Sequence, residues 1–333
     1  TGVQTCALPI LLLLNLFMTT AIAQQQDDYA SDWKKVEGLE KKGLTASALK
    51  EVIGIFNKAL LNNNEPQQIK SAIYQVKYRN LVEENSVPSN ILYIDTLIEK
   101  SKAPVMNILQ SMKAELLWNF KNRNRYLFYS RTRITDDNAT DILTWSIDKF
   151  NNSIAALYNA SLSQETLLQN TALNNWDAIL QKGINSRDLR PSLYDFLAHR
   201  AIAFFANAEN DVTNPAYKFI INDEHVFDPA NEFINLKIAT TDAQSLYYRA
   251  LLIYQDILRF HINDKDPGAL IDADLLRLTF VNRYAVISNK TKLYEAALQF
   301  IETKYSNHVA SGAVIFLQAQ LYQQSGSNFH PFT

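Results

Sequence analysis

The sequence predicts an all-α fold, a repeat-like array of antiparallel α-hairpins arranged in curved layers. Three observations point there. The 333 residues hold 8 glycines and 9 prolines, where average usage would supply about 23 and about 17, and turn-rich β-sandwiches need more turn residues than this. Apolar side chains recur along most of the chain at the i, i+3, i+4, i+7 spacing of one helix face. The best strand candidate, Tyr217-Lys218-Phe219-Ile220-Ile221, stands alone, and one strand makes no sheet, so it reads as an extended loop.

The elements follow in order. Leu49, Val52, Ile53, Phe56 and Leu60 mark one face of a helix entered near Thr45. Asn62-Asn63-Asn64 is a turn, and Pro66 suits the first turn of the next helix, which carries Ile69, Ala72, Ile73 and Val76. A third segment, 90–100, opens after Pro88 and closes before Pro104, and Val105, Ile108, Leu109, Met112 and Leu116 continue the period through Trp118. These are successive hairpins, tetratricopeptide-like without that repeat's consensus of Trp, Leu-Gly and Tyr. Residues 122–191 are less regular, with a loop at Asp136-Asp137-Asn138, a short helix carrying Ile147, Phe150, Ile154 and Leu157, and turns over 161–190. A firm helix at 192–207 carries Leu193, Phe196, Leu197, Ala201 and Phe204 inward, and helices follow at 244–260, 268–286, 291–304 and 310–324. The chain is expected to be cut from something longer, which would leave Val314, Leu317 and Leu321 of the last helix on an open apolar face that promotes association.

The N-terminal residues stand apart. The run Ile10 to Met18 is too short to span a bilayer, and Ala21-Ile22-Ala23 before Gln24 has the small-x-small pattern of a signal-peptidase site. This reads as a secretory signal cleaved after Ala23, giving a periplasmic or secreted location. The opening, Thr1 to Ile10, lacks an initiator Met and resembles translated sequencing-adapter sequence. The expected organisation is therefore 1–23 adapter-like residues plus signal, 24–121 hairpin array, 122–191 irregular segment, and 192–333 a second helical array. Cleavage would remove Cys6, the sole cysteine, and with it any disulfide, thiolate nucleophile or lipid-anchoring residue.

Chemistry is hard to find in the residues. Lys+Arg 32 against Asp+Glu 34 gives a net charge of −2, which argues against a nucleic-acid partner. Dinucleotide and Walker-type glycine loops and the G-x-S-x-G elbow are missing from the sequence. His199, His225, His261, His308 and His330 lack H-x-x-x-H or H-E-x-x-H spacing and show no credible partner pair. Asp195 and His199, at i and i+4, could orient an imidazole or simply make a local bond on a packed helix. Asp136 with Asp137, or Asp264 with Asp266, could act as acid and base on a glycoside, but read better as solvated turns. Arg123, Arg125, Arg131 and Arg133 around Tyr126, Phe128 and Tyr129 resemble a stacking platform, and with this charge balance read as aromatics packed on a hairpin with arginines at its edge. Tyr247, Tyr248 and Tyr254 have core spacing. The residues thus predict no catalytic site, no cofactor and no metal.

A family resemblance adds to this. Asp32-Trp33-Lys34-Lys35-Val36-Glu37-Gly38-Leu39-Glu40-Lys41-Lys42-Gly43-Leu44-Thr45-Ala46-Ser47-Ala48-Leu49 resembles the first helical hairpin of large alpha-2-macroglobulin-like proteins of Bacteroidetes. Gln68 to Tyr78 is similar to their next helix, and Leu189-Arg190-Pro191-Ser192-Leu193-Tyr194-Asp195-Phe196-Leu197-Ala198-His199-Arg200-Ala201 is the most specific block. Weaker blocks at Thr144-Trp145 with Phe150 and at Asn174 to Leu180 fall between them in order, so the resemblance covers 29–325. It implies that the intact protein is a protease trap, an endopeptidase inhibitor whose bait is cleaved and which in many members acylates its captive through a C-x-E-Q thioester. The chain has no C-x-E-Q. The expected role is a non-catalytic N-terminal scaffold, its partners the downstream macroglobulin domains and, through the full-length protein only, proteases. The alternative is a stand-alone helical-repeat binding protein of the bacterial envelope. A third reading, ranked below both, is an all-α hydrolase with paired carboxylates.

Overall fold

The computed structural model describes residues 29–128, 141–183, 186–207 and 218–327, and these form an all-helical, repeat-like array of neighbouring helix pairs. The signal-like run, Asp136-Asp137, Tyr129, Arg131, Arg133, Tyr217 and His330 lie outside the described residues. Among the described residues no helix is long and apolar enough to cross a membrane. The chain packs as two units that divide between Ile94 and Asp95, a different place from the 121/122 and 191/192 divisions expected from the regularity of the helical pattern.

The first unit contains α1 (29–41), α2 (Thr45–Leu61), α3 (Glu65–Val82) and the start of α4 (Val87–Lys100). Its core joins Tyr29, Trp33 and Val36 of α1 to Ala48, Val52, Ile55 and Ala59 of α2 and Tyr78 of α3. Both turns follow one stereochemical rule. Leu44 N–H donates to Leu39 and Gly43 N–H to Glu40, with Gly43 at φ +71°. Asn64 N–H donates to Ala59 and Asn63 N–H to Leu60, with Asn63 at φ +49°. This paired closure satisfies the last carbonyls of a helix and needs a left-handed residue, which Gly and Asn tolerate best. Asn64 then caps α3, its side chain accepting from Gln67 N–H at 3.2 Å, with Pro66 in the first turn as expected.

One face is corrected here. The helix α2 turns Ala48, Val52, Ile55 and Ala59 inward, and Ile53 and Leu60 are exposed. The buried face of α2 joins Tyr29, Trp33 and Val36 of α1 and Tyr78 of α3 in one core, and α2 also packs along α3.

The second unit runs through α5 (Val105–Arg123), α6 (Arg125–Phe128), α7 (Ile147–Ser161), α8 (Glu165–Gln169), α9 (Ser186–Leu189), α10 (Leu193–Phe205), α11 (Ala230–Phe233), α12 (Leu246–His261), α13 (Gly268–Tyr284), α14 (Lys290–Lys304) and α15 (Ser311–Ser327). The helix α10 is the centre of the unit, packed on α5, α7, α8 and α12, while α13 packs on α9, α12 and α14, and α14 on α15. Aromatic rings fill the α5–α7–α10 junction: Phe128 lies 4.9 Å from Phe150, Trp118 5.4 Å from Phe204, and Tyr158 5.6 Å from Phe204. Phe128 thus packs inward while Tyr126 is exposed.

Residues 218–223 are extended without sheet partners, tied down where Val286 N–H donates to the Ile221 carbonyl at 2.8 Å. The last helix departs from expectation. Val314 and Leu321 are buried and Leu317 is half-buried, whereas Ile315, Phe316 and Tyr322 face solvent. The inward stripe is the one expected to be open, because α14 covers it.

Candidate functional site

Among the described residues a cluster of titratable groups surrounds the start of α10. Ser192 ends the preceding loop in an extended conformation and caps the helix reciprocally: its Oγ accepts from Asp195 N–H at 3.2 Å, and Asp195 Oδ2 accepts from Ser192 N–H at 3.0 Å and Oγ–H at 2.7 Å. This capping box fixes the Asp195 carboxylate where the helix dipole favours negative charge. The other oxygen, Oδ1, meets His261 Nε2 at 2.7 Å, and Asp264 Oδ2 meets His261 Nδ1 at 2.6 Å. The His261 side chain is 1 % exposed. Burial alone would lower its pKa, but the hydrogen bonds and charges of Asp195 and Asp264 outweigh burial and hold it above the ordinary histidine value. Imidazolium satisfies both carboxylates at once, since each ring nitrogen then donates.

Around this triad lie further histidines. His199 Nδ1 donates to the Asp195 carbonyl at 2.7 Å, and its Nε2 faces Asp272 Oδ2 of α13 at 3.9 Å. Arg190 Nε is 3.6 Å from the same oxygen. Asp266 Oδ1 accepts from Gly268 N–H at 2.8 Å, at the start of α13, and lies 3.0 Å from His308 Nε2.

Asp195 and His199 do make a local bond, through the Asp195 carbonyl and not its carboxylate. Asp264 and Asp266 are each engaged to a histidine, Asp264 to His261 and Asp266 to His308. The absence of a credible histidine partner pair is overturned by His261, held between Asp195 and Asp264. Sixty-six residues separate His261 from Asp195, so no local spacing could reveal the contact. The Ser192-x-x-Asp195 box was readable, and it marks the carboxylate.

Chemically, the triad pairs an imidazole with two carboxylates, as a general base is oriented by its partner. Here both ring nitrogens meet carboxylates and the ring is closed off from solvent, so a substrate would have to displace a carboxylate to reach it. The Ser192 hydroxyl donates to Asp195, so it is not activated by an imidazole either.

A separate cleft of about 240 Å³ lies between α13, α14 and the 227–229 segment, lined by Phe227, Pro229, Leu278, Leu293, Ala297 and Phe300. Its floor is held by Arg277, fully buried, which donates to Asp274 Oδ1 at 2.8 Å, the Val226 carbonyl at 2.6 Å and the Asp228 carbonyl at 2.9 Å, and stacks 4.3 Å from the Phe233 centroid. Comparison with models of known protein families, with curated proteins and with solved structures finds no match to this chain.

Proposed function

We propose that the chain is a non-catalytic helical scaffold, the N-terminal region of a secreted or periplasmic alpha-2-macroglobulin-like endopeptidase inhibitor. One observation carries the reading. The block with the most specific resemblance, 189–201, also lies at the packing centre of the second unit: Asp195 reaches His261 of α12, Arg200 reaches Ser111 of α5 and Arg190 faces Asp272 of α13, while Ser192 and His199 bond within α10 and its cap. A sequence signature made of packing positions is what a scaffold carries, whereas a catalytic signature presents groups to an open site. Covalent trapping belongs, on this reading, to macroglobulin domains beyond the helical region.

The purified chain is expected to leave proteases of several classes free to digest a large protein substrate. Stoichiometric protection of that substrate, or a protease adduct that survives denaturing electrophoresis, would overturn the scaffold reading. A stand-alone binding protein of the bacterial envelope is the second reading, favoured by the apolar cleft beside Phe227 and Phe300. Saturable binding of a small apolar ligand, lost in Ala297→Trp, would move the assignment there.

A further inference from the structure

The residues His199, Asp272 and Arg190 are arranged as an exchange of partners. His199 Nδ1–H donates a hydrogen bond to the Asp195 carbonyl, so the neutral ring carries its lone pair on Nε2. That lone pair faces Asp272 Oδ2 at 3.9 Å, and neither atom has a hydrogen-bond partner. The His199 side chain is 9 % exposed, so water does little to relieve two acceptors aimed at each other. Arg190 stands 3.6 Å from the same oxygen, too far for a good hydrogen bond, and its side chain is 40 % exposed. The arginine thus holds Asp272 by charge alone and can turn to water at small cost.

We propose that protonation of His199 draws Asp272 onto the imidazole and releases Arg190, loosening the α9 turn from α13 in mild acid. The proton comes from solvent and binds Nε2. Two facing lone pairs become a charge-assisted hydrogen bond of about 2.8 Å, which needs roughly 1 Å of approach. Burial and the Arg190 charge hold His199 below the ordinary histidine value, against the opposing pull of Asp195 and Asp272, which places the exchange on the acid side of neutrality. Other groups on the elements around α10 are already engaged: His261 on α12 by Asp195 and Asp264, Glu115 on α5 by Arg200, and Tyr158 on α7 kept neutral by burial. Glu165 on α8 lies toward Tyr194 and Asp256, with Arg259 nearby. Tyr254 on α12, near Asp272 and Arg190, is kept neutral by burial, so the facing pair of His199 Nε2 and Asp272 Oδ2 is where the proton is taken up.

The test follows the His199 ring nitrogens by NMR from about pH 5 to about pH 8, together with amide exchange at Arg190, whose N–H donates to Ser186 at 3.0 Å. After correction for intrinsic pH dependence, Arg190 exchange should rise several-fold in acid. Asp272→Asn should lower the His199 midpoint by about one unit, and Arg190→Gln, a change at a half-exposed side chain, should raise it. A midpoint moved by neither substitution, or an equal acid response in His199→Gln, would overturn the proposal.

Discussion

Two buried charges decide how single residues behave in this protein. His261 has a raised pKa because Asp195 and Asp264 outweigh its burial, so its contribution to stability is full below about pH 6.5, the unfolded value. It is lost as pH rises through the folded value. The stability gap between the chain and His261→Gln, from urea unfolding, is therefore expected to be larger near pH 6 than near pH 8.5; an equal gap at both would mean the ring is neutral. Arg277 poses the opposite problem, a cation that never meets water. Burial pushes the Asp274 carboxyl up, against the pull of Arg277, so removing the arginine strands an anion and two carbonyls. Arg277→Met should cost about 3–5 kcal/mol, and adding Asp274→Leu should recover part of it; strict additivity in a double-mutant cycle would refute the coupling. Asp274 and Arg277 stand at i and i+3 on one helix, a spacing the sequence shows, whereas the tie between Asp195 and His261 was not legible there. Ser192 three residues before Asp195 is a readable cap, and Asp264 stands three residues after His261, but the second carboxylate on His261, Asp195, lies in a different helix and leaves no local spacing.

At the scale of elements, the ends of helices were easier to read than their faces. Asn62 to Asn64, Pro66 and Ser192 each act through the backbone within a few residues, and such short-range stereochemistry survives in sequence. Faces depend on what packs opposite. The helix α2 buries Ala48, Val52, Ile55 and Ala59 in a core shared with α1 and α3, and α15 buries Val314, Gln318 and Leu321 where α14 packs on it. The glycines of the first unit make a paired prediction. Gly43 sits at φ +71°, so Gly43→Ala should destabilise by about 1 kcal/mol, while Gly54, within α2 and with open space where a Cβ would go, should give a gain of up to about 1 kcal/mol on Gly54→Ala. Thermal melts that shift in the same direction for both would show that backbone conformation is not the cause.

For the whole molecule, solvent-facing apolar side chains and the reach of the polar ties matter most. Ile315, Phe316 and Tyr322 present apolar surface on α15, and Ile315→Glu with Phe316→Lys is expected to lower both hydrophobic-dye binding and concentration-dependent association. Sedimentation that is unchanged by the pair would place any association elsewhere. The polar ties differ in span between the two units. In the first, Trp33 reaches Gln67 and Tyr78 reaches Glu40 across 34 and 38 residues. In the second, His261 reaches back 66 residues to Asp195, and Arg200 reaches back 89 to Ser111. A chain emerging from the ribosome therefore completes its first set of clasps after roughly half a hundred residues of the described region, and must wait much longer for the second. Pulse-labelled refolding should protect amides of α2 and α3 before those of α10 and α13, and the interval between them is when the half-made second unit is most open to capture by chaperones or by another copy of itself.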